Sequence, residues 1–433
     1  MYIARIVALL SACSLPARAQ IDSTRVDTTI SLADALAHAA SASPDVARGK
    51  ANVWEARSQQ RLAVGAFLPQ IAYQANFSNA DLASPEPPLS LALPGPTYGT
   101  GVLASLDLFT AGRRGAQRRA ADAERTAADA SLVDRTYGAR LTVEIAFLDV
   151  LRAEDLIKVA EARLARDQEA LSVAQHRLEA GTSFRSDVLR AGVELSSAKE
   201  ALLAAQAQYT SAAFELGRVT GLGRAVGADE ADSTIVRPLP VPDREIVDLI
   251  VAGGPSVRAA DATRDAATAS VRAAKAQYFP TINASGGYSV YAQPATRGPL
   301  IDGGQAWQFR VGVVYPIFDG FQREDGVSRA DAEADAASAT RADTKREARA
   351  AAERGLANLN VAGERIRLAE EAVVQAREDL RVQDARYQAG ASTILDRLTS
   401  EATLVATEQD AVTARYDYGI ARAQLEALAG RSL

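Results

Sequence analysis

The sequence has few of the residues from which enzymes build active sites and metal sites. It contains two histidines, His38 and His176, and a single cysteine, Cys13. No glycine-rich phosphate loop follows a strand, and no motif joins a nucleophile to a base. We therefore expect no catalytic residues, no cofactor and no metal site. The formal net charge of -6 offers no basic surface, so we expect no nucleic-acid partner.

The first residues have the pattern of an export signal. Arg5 precedes an apolar stretch at 6–15, and Ala17-Arg18-Ala19 has the form of a cleavage site. We interpret residues 1–19 as a signal peptide that directs the chain out of the cytoplasm. Cys13 also fits a lipoprotein processing site, so its lipidation stays open. After this segment no run of 18 apolar residues occurs, and we expect no membrane-spanning helix.

The rest of the chain consists of two similar halves. Phe67–Pro69 recurs 211 residues later as Tyr278–Pro280, and Arg177–Gly181 recurs 209 residues later as Arg386–Gly390. A period this long indicates a duplicated architectural half and not a solenoid. The predicted segments are a first repeat at 20–220, a linker at 221–243 and a second repeat at 244–433.

Alanine-rich segments with helical periodicity dominate both repeats. Apolar residues recur every three or four positions until Gly181 or Gly390 stops the pattern. Ser183 and Ser392 are the expected N-caps of the helices that follow. Small residues favour close packing in long antiparallel coiled coils. The predicted helices span 44–68, 112–180 and 184–220 in the first repeat, and 255–279, 320–389 and 393–429 in the second.

Between the short and the long helix of each repeat, the periodicity changes to two. Ile71, Tyr73 and Phe77 alternate with polar residues, as do Trp307 and Phe309 in the second repeat. Strands of about ten residues suit a bilayer, although a half-buried soluble hairpin has the same alternation. Four strands are too few for a barrel, so a dimer with eight or a trimer with twelve would have to share one. The predicted strands lie at about 69–79, 98–108, 281–292 and 305–317.

These features together resemble the TolC-type outer membrane efflux proteins, the exit ducts of tripartite efflux pumps and type I secretion systems. The resemblance rests on the duplication, on Ile317–Gly320 where a strand enters a long helix, and on the paired Arg177–Gly181 and Arg386–Gly390 turns. It implies a mainly α fold with a small β part. Long coiled-coil helices would form a periplasmic α-barrel, and a homotrimer would share a 12-stranded β-barrel in the outer membrane.

The resemblance also implies partners and a cellular location. The chain would lie in the outer membrane lipid, extend into the periplasm and meet a periplasmic adaptor (membrane fusion) protein and an inner-membrane pump. A competing interpretation is a periplasmic coiled-coil adaptor or scaffold without a pore. Adaptors flank one helical hairpin with soluble β domains, whereas this sequence has two hairpins that each follow amphipathic strands, which favours the duct. The transported substrate, the pump and the adaptor stay open.

The resemblance places a gate at the helix tips. Asp396 matches a cation-selective ring of aspartates, whereas Thr399 stands where a second ring would fall. Three copies of one carboxylate near a narrow axis would attract cations and raise each other's pKa. The alternative is that Asp396 is a solvated residue on the helix face or a partner of the N-terminal dipole of its own helix.

Further contacts of the gate are also implied by the resemblance. Tyr387 matches a tyrosine that ties the inner hairpin to its neighbour, and Asp187 matches its acidic partner. Ser392 replaces the usual arginine of this lock, so Arg185 or Arg397 would have to substitute. The tips expected to face the adaptor contain Gly181, Thr182, Ser183, Gly390, Ala391 and Ser392.

Overall fold

The chain is mainly helical in the computed structural model, which describes residues 28–80, 95–229, 239, 242–292 and 304–433. The predicted signal peptide lies outside these described residues. The helices are α1 (Leu32–Ala42), α2 (Pro44–Gly65), α3 (Arg113–Glu179), α4 (Arg185–Val219), α5 (Asp243–Gly253), α6 (Pro255–Lys275), α7 (Gln322–Gln388) and α8 (Ile394–Ala429). The strands are β1 (Thr29–Ile30), β2 (Gln70–Ala80), β3 (Gly95–Phe109), β4 (Gly227–Ala228), β5 (Thr281–Ala292) and β6 (Gly304–Val314).

Two long helices set the dimensions of the molecule. The helices α3 and α7 have 67 residues each, which gives about 100 Å at 1.5 Å per residue. The helices α4 and α8 run back along them, while α2 packs on α3, and α6 packs on both α3 and α7. Helix α6 therefore joins the two repeats. No helix in the described residues is both long and apolar enough to cross a membrane.

Two apolar clusters fill the middle of the long helices. One contains Phe147 and Leu151 of α3 with Leu216 of α4, and α1 covers it. The other surrounds Leu356 of α7 and Leu425 of α8, and α5 covers it. The sequence did not predict α1 and α5, which have 11 residues each. Helices this short depend on packing for their stability, and the clusters provide it.

Three predicted elements end earlier than expected. Helix α2 stops at Gly65, and α6 stops at Lys275 before a 3₁₀ turn, because each is followed by a proline at the strand entrance that disfavours helix in the residue before it. Strand β6 stops at Val314 instead of 317. The corresponding part of β3, residues 106–109, pairs with β5, whereas residues 315–317 have no neighbouring strand among the described residues. The other predicted bounds differ by three residues or fewer.

The four long strands form one antiparallel sheet in the order β2-β3-β5-β6. Tyr73 lies opposite Val102, Val102 opposite Tyr288, and Tyr288 opposite Trp307, so apolar residues share one face across all four strands. The described rest of the chain does not cover this face, and the exposed fraction is 73% for Tyr73 and 82% for Trp307. The pair β1–β4 forms a separate small parallel sheet.

The passage from strand to long helix is built in the same way in both repeats. Arg114, in the first turn of α3, donates to the Leu108 carbonyl and lies 4.9 Å from the centroid of the Phe67 ring. Its counterpart Arg323 lies 5.1 Å from the Tyr278 ring and donates to the carbonyl at the corresponding position. These arginines fix the orientation of the sheet on the helices.

Candidate gate at the helix tips

The two helical hairpins turn at corresponding glycines. Gly181 and Gly390 both have φ of +74°, in the left-handed region that glycine adopts without strain. The N–H one residue after each glycine donates to the carbonyl of Arg177 or Arg386, at 2.8 Å in both turns. This pattern closes the ends of α3 and α7. The two tips therefore have the same backbone geometry, and their side chains distinguish them.

Thr393, and not Ser392, is the N-cap of α8. Its Oγ1 accepts a hydrogen bond from the Asp396 N–H at 3.3 Å, and the Asp396 carboxylate accepts from the Thr393 N–H at 2.9 Å. The hydrogen bond from this backbone N–H is the main cause that holds the pKa of Asp396 below its ordinary value. The predicted cap at Ser392 was wrong because the helix begins one residue later. Asp396 is exposed and stays ionised at neutral pH.

At the other tip, Phe184 occupies the N-cap position and no side chain caps α4. The predicted cap at Ser183 was therefore also wrong. Ser183 Oγ instead donates to the Asp187 carboxylate at 2.7 Å. Asp187 thus bonds within its own turn. Arg185 is exposed and forms no ion pair within the described part of the chain.

Tyr387 is held by an arginine of its own chain. The Arg177 guanidinium lies 4.4 Å from the centroid of the Tyr387 ring and donates to the Tyr387 carbonyl. The Tyr387 side chain is 3% exposed, and its hydroxyl has no hydrogen-bond partner among the described residues. Arg177 therefore fastens the end of α7 to the end of α3. In the sequence, Arg177 stands out only as part of the repeated Arg177–Gly181 and Arg386–Gly390 segments, and its contact with Tyr387 was not predicted.

Arg397 belongs to a buried group of charged side chains near the tip. Its Nε lies 2.6 Å from Asp384 of α7, and its Nη1 lies 2.8 Å from Glu401 of α8. Both edges of the guanidinium are thus engaged within the chain. Helix α3 adds Asp167, whose carboxyl is within hydrogen-bonding reach of Glu401. Burial is the main cause that raises the pKa of Asp167 and of Glu401.

We call the contact between α3 and α8 the own-chain seam. The charged residues that meet there form the seam cluster, which comprises Arg163, Arg166, Asp167, Asp384, Arg397 and Glu401. The sequence alone does not reveal this cluster, because residues from three helices meet only after folding. One signal was nevertheless present in the duplication. The counterparts at the offset of 209 residues are all uncharged, namely Ala372, Gln375, Ala376, Gln175, Val188 and Gly192.

The described residues contain no candidate metal centre. No group of three or more His, Cys, Asp or Glu within them could hold a metal ion. The tips thus contain capped helix ends, an exposed carboxylate, an arginine–tyrosine contact and a buried charge cluster. Such an arrangement can position helices and attract cations.

The model of the family described as "Outer membrane efflux protein" matches residues 35–222 and 246–431. The chain belongs to the outer membrane efflux protein family. The two matched segments contain both long hairpins and all four long strands. The tips described above are therefore the helix turns of an outer membrane efflux protein.

Curated relatives and a solved structure agree with this assignment. Outer membrane protein TolC of Vibrio cholerae is 25% identical over 84% of this chain and 82% of its own length. Protein CyaE of Bordetella pertussis is 29% identical over 52% of this chain, and the match spans about half, 48%, of CyaE. The structure of CusC superposes with a TM-score of 0.81 at 20% identity, covering 93% of this chain and 92% of CusC.

These findings support an exit duct in the outer membrane and do not favour the adaptor alternative. The fold is that of solved outer membrane channels such as OprN.

Proposed function

We propose that three copies of this chain form the exit duct of a tripartite efflux or type I secretion system, with a shared 12-stranded barrel in the outer membrane. The observation that carries this proposal is the open sheet. Strands β2 and β6 are its two edges, and its apolar face is uncovered by the described chain. Open strand edges are too costly in hydrocarbon, so other strands must pair with them.

The duplication specifies which strands would pair. The two hairpins have the same register, because Tyr73 opposite Val102 corresponds to Ala284 opposite Val311 at offsets of 211 and 209 residues. Strand β3 pairs with β5 inside the chain, so β6 should pair with β2 of the next copy. Val102 lies opposite Tyr288 in the first contact. The same relation places Val311 opposite Phe77 of the next copy.

This pairing also accounts for the short β6. Residues 315–317 correspond to the part of β3 that pairs with β5. In the assembly residues 315 and 316 would lie opposite residues 73 and 72 of the next copy, and residue 317 would fall at the counterpart of the register shift between Asp107 and Phe109. Three copies instead of two is the number that the family resemblance implies.

Below the barrel, the long helices of three copies would enclose a periplasmic passage. The tips at Gly181 and Gly390 would face the adaptor, and the pump would lie beyond it. Asp396 of each copy would contribute to a ring that selects cations. Tyr387 and Asp187 of neighbouring copies would form the remaining gate contact. The Tyr387 hydroxyl is buried and has no hydrogen-bond partner among the described residues, so its side chain would have to turn outward to reach the neighbour.

A disulfide between strands tests the assembly. With Phe77→Cys and Val311→Cys in one chain, each copy should bond to two neighbours after oxidation. A non-reducing gel should then show a covalent species of three chains. A ladder that stops at two chains would contradict the trimer, and the absence of any ladder would contradict the pairing.

The register has its own control. Phe77→Cys with Val313→Cys lies on the same face but is displaced by two residues, where Cβ atoms are about 7 Å apart or more. This pair should react much less, and each single-cysteine variant should not react. Carbonate washing of membranes distinguishes the duct from the adaptor alternative, because a barrel stays in the membrane fraction whereas a periplasmic scaffold is released.

A further inference from the structure

Two buried carboxyls meet in the seam cluster. Asp167 is 2% exposed and Glu401 is 3% exposed, and their side chains are within hydrogen-bonding reach of each other. Asp167 Oδ2 and Glu401 Oε1 receive no hydrogen bond from any described residue. Two ionised carboxylates have only acceptor oxygens, so a single proton between them is needed to form a hydrogen bond.

The arginines nearby do not replace this proton. Arg163 Nε lies 3.5 Å from Asp167 Oδ2, and Arg166 Nε lies 3.5 Å from Glu401 Oε1, without hydrogen-bond geometry. Arg397 binds the other oxygen of Glu401 at 2.8 Å. Asp167 Oδ2 and Glu401 Oε1 thus lie near cations and still receive no hydrogen bond from the described residues.

Each of these arginines is also shared with an outer carboxylate. Glu194 of α4 lies 3.4 Å from Arg163, Asp384 of α7 lies 2.6 Å from Arg397, and Glu408 of α8 lies 3.2 Å from Arg166. Arg377 of α7 pairs with Glu408 from the opposite side at 3.3 Å. These groups divide the positive charge between inner and outer carboxyls, so the inner pair is not neutralised by arginine alone.

We propose that the own-chain seam is a proton-dependent latch, in which one proton shared by Asp167 and Glu401 fastens the α7–α8 hairpin to α3. Loss of the proton leaves two buried carboxylates side by side and loosens the hairpin. The latch acts on the gate of the proposed duct and in this sense rests on the proposed function.

The duplication makes this latch selective. By the same relation that pairs the strands, α7 should lie against α4 of the next copy as α3 lies against α8. That second seam brings Gln375 and Ala376 against Gly192, where the own-chain seam has Arg166, Asp167 and Glu401. Its counterparts of the seam cluster cannot titrate. At the positions of the seam cluster, a change of pH therefore acts on the own-chain seam and not on the second seam.

The direction of the effect follows from the raised pKa values. Burial raises the pKa of Asp167 and of Glu401, and water in an opened seam would return both towards their ordinary values. The closed seam thus binds the proton more tightly than the open seam does. Acid pH favours the closed latch, and the latch weakens as pH rises through the raised pKa.

Thiol labelling of the seam tests the latch. Ala170→Cys places a thiol in the buried face of α3, about one turn from Asp167. Its reaction rate with a maleimide is measured alone and combined with Glu401→Gln, in which the amide permanently donates to Asp167. The rate for Ala170→Cys alone is divided by the rate for the combined variant, so that the pH dependence of thiol ionisation, which both rates share, cancels. This ratio should be about one at acid pH and should rise about tenfold as pH increases through the raised pKa of the carboxyl pair.

Control variants protect this result. Glu378→Gln removes an exposed carboxylate of α7 and should leave the labelling unchanged, while Asp167→Asn is a second way to remove the carboxylate pair if Glu401→Gln fails to fold. Glu144, whose pKa burial raises to about 7, lies about 35 Å along α3 and is present in every variant.

A ratio that stays near one at every pH would overturn the latch, even in a protein that forms pores. A ratio that rises in a protein without any conductance would keep the latch and refute the proposed duct. In planar bilayers, closed-state conductance should rise with pH in the unmodified protein and stay low in Glu401→Gln.

Discussion

Single residues make the two helix tips different although their backbones agree. Arg177 packs on the ring of Tyr387. In the other half of the repeat, Arg386 is the counterpart of Arg177, and Leu178 is the counterpart of Tyr387, so the second arginine has no equivalent aromatic ring. A guanidinium interacts with an aromatic face and gains nothing comparable from leucine. Only the end of α7 is therefore fastened by this contact. The asymmetry of the two tips thus begins with one aromatic side chain and one arginine.

The carboxylate of Asp396 has two separable roles, as a helix cap and as the proposed cation site. We expect Asp396→Ala to abolish the block of the duct by multivalent cations, because the ring loses its charge. Thr393→Ala should remove the reciprocal cap, at about 1 kcal/mol, while it retains the carboxylate and the block. Single-channel recording with and without the cation compares the two variants.

Equal loss of block in both variants would show that the cap alone matters. The pH dependence gives a second check on the same residue. The pKa of Asp396 is lowered, so its capping contribution is present at neutral pH and is lost as pH falls through the lowered value. Block by cations should also be lost as pH falls. Repulsion between the carboxylates of neighbouring copies would move this loss to a higher pH.

At the scale of secondary-structure elements, sequence predicts what local periodicity determines. The helices α3 and α7 follow from spacing alone because they contain no proline, and the four long strands follow from their alternation of apolar and polar residues. The helices α1 and α5 were missed, since their stability depends on the two apolar clusters at the middle of the long helices. The end of β6 was missed for the opposite reason: its pattern continues, but its partner strand is not in the same chain.

The junction arginines allow the two repeats to be compared directly. Arg323 forms an ion pair with the partly buried Asp319 at 2.9 Å. The counterpart of Asp319 in the first repeat is Thr110, whose hydroxyl accepts a hydrogen bond from Arg114 at 3.4 Å. Arg323→Met should cost about 3 kcal/mol because it leaves a carboxylate without its partner. Arg114→Met should cost about 1 kcal/mol.

Denaturant unfolding measured by circular dichroism provides these free energies. Arg329→Met, which breaks an exposed ion pair with Asp325, is the matched control and should change stability little. If Arg114→Met and Arg323→Met destabilise equally, the carboxylate is not what distinguishes the junctions, and the packing on Phe67 and Tyr278 is the common determinant.

On the scale of the whole molecule, the duplication converts contacts within one chain into expected contacts between chains. Helix α3 packs on α6 and α8, so α7 should pack on α2 and α4 of the next copy. The surfaces that would meet are apolar and exposed in the single chain. They include Val361 and Leu368 on α7, and Leu189 and Leu203 on α4. The charges of the seam cluster mark the own-chain seam, which helps α8 to choose α3 over the equivalent surface of a neighbour.

Gly192 tests this relation because its surroundings differ between the single chain and the proposed assembly. A Cβ at this position would meet nothing within 4 Å in the chain itself. Its counterpart Glu401 nevertheless lies in a buried seam. Gly192→Trp should therefore fold as a monomer and even strengthen α4, since tryptophan is the better helix former. In the assembly the indole would collide with α7 of the next copy, so the variant should not form trimers.

Light scattering of the detergent-solubilised protein measures the number of chains per particle. Gly326→Trp is the matched control, because this glycine is equally open and its counterpart Gln117 is exposed. It should assemble as the unmodified protein does. Trimers of Gly192→Trp would mean that α4 and α7 of neighbouring copies do not repeat the own-chain seam. The selectivity argued for the proton-dependent latch would then lose its basis, while the latch itself would still depend only on the contact between Asp167 and Glu401.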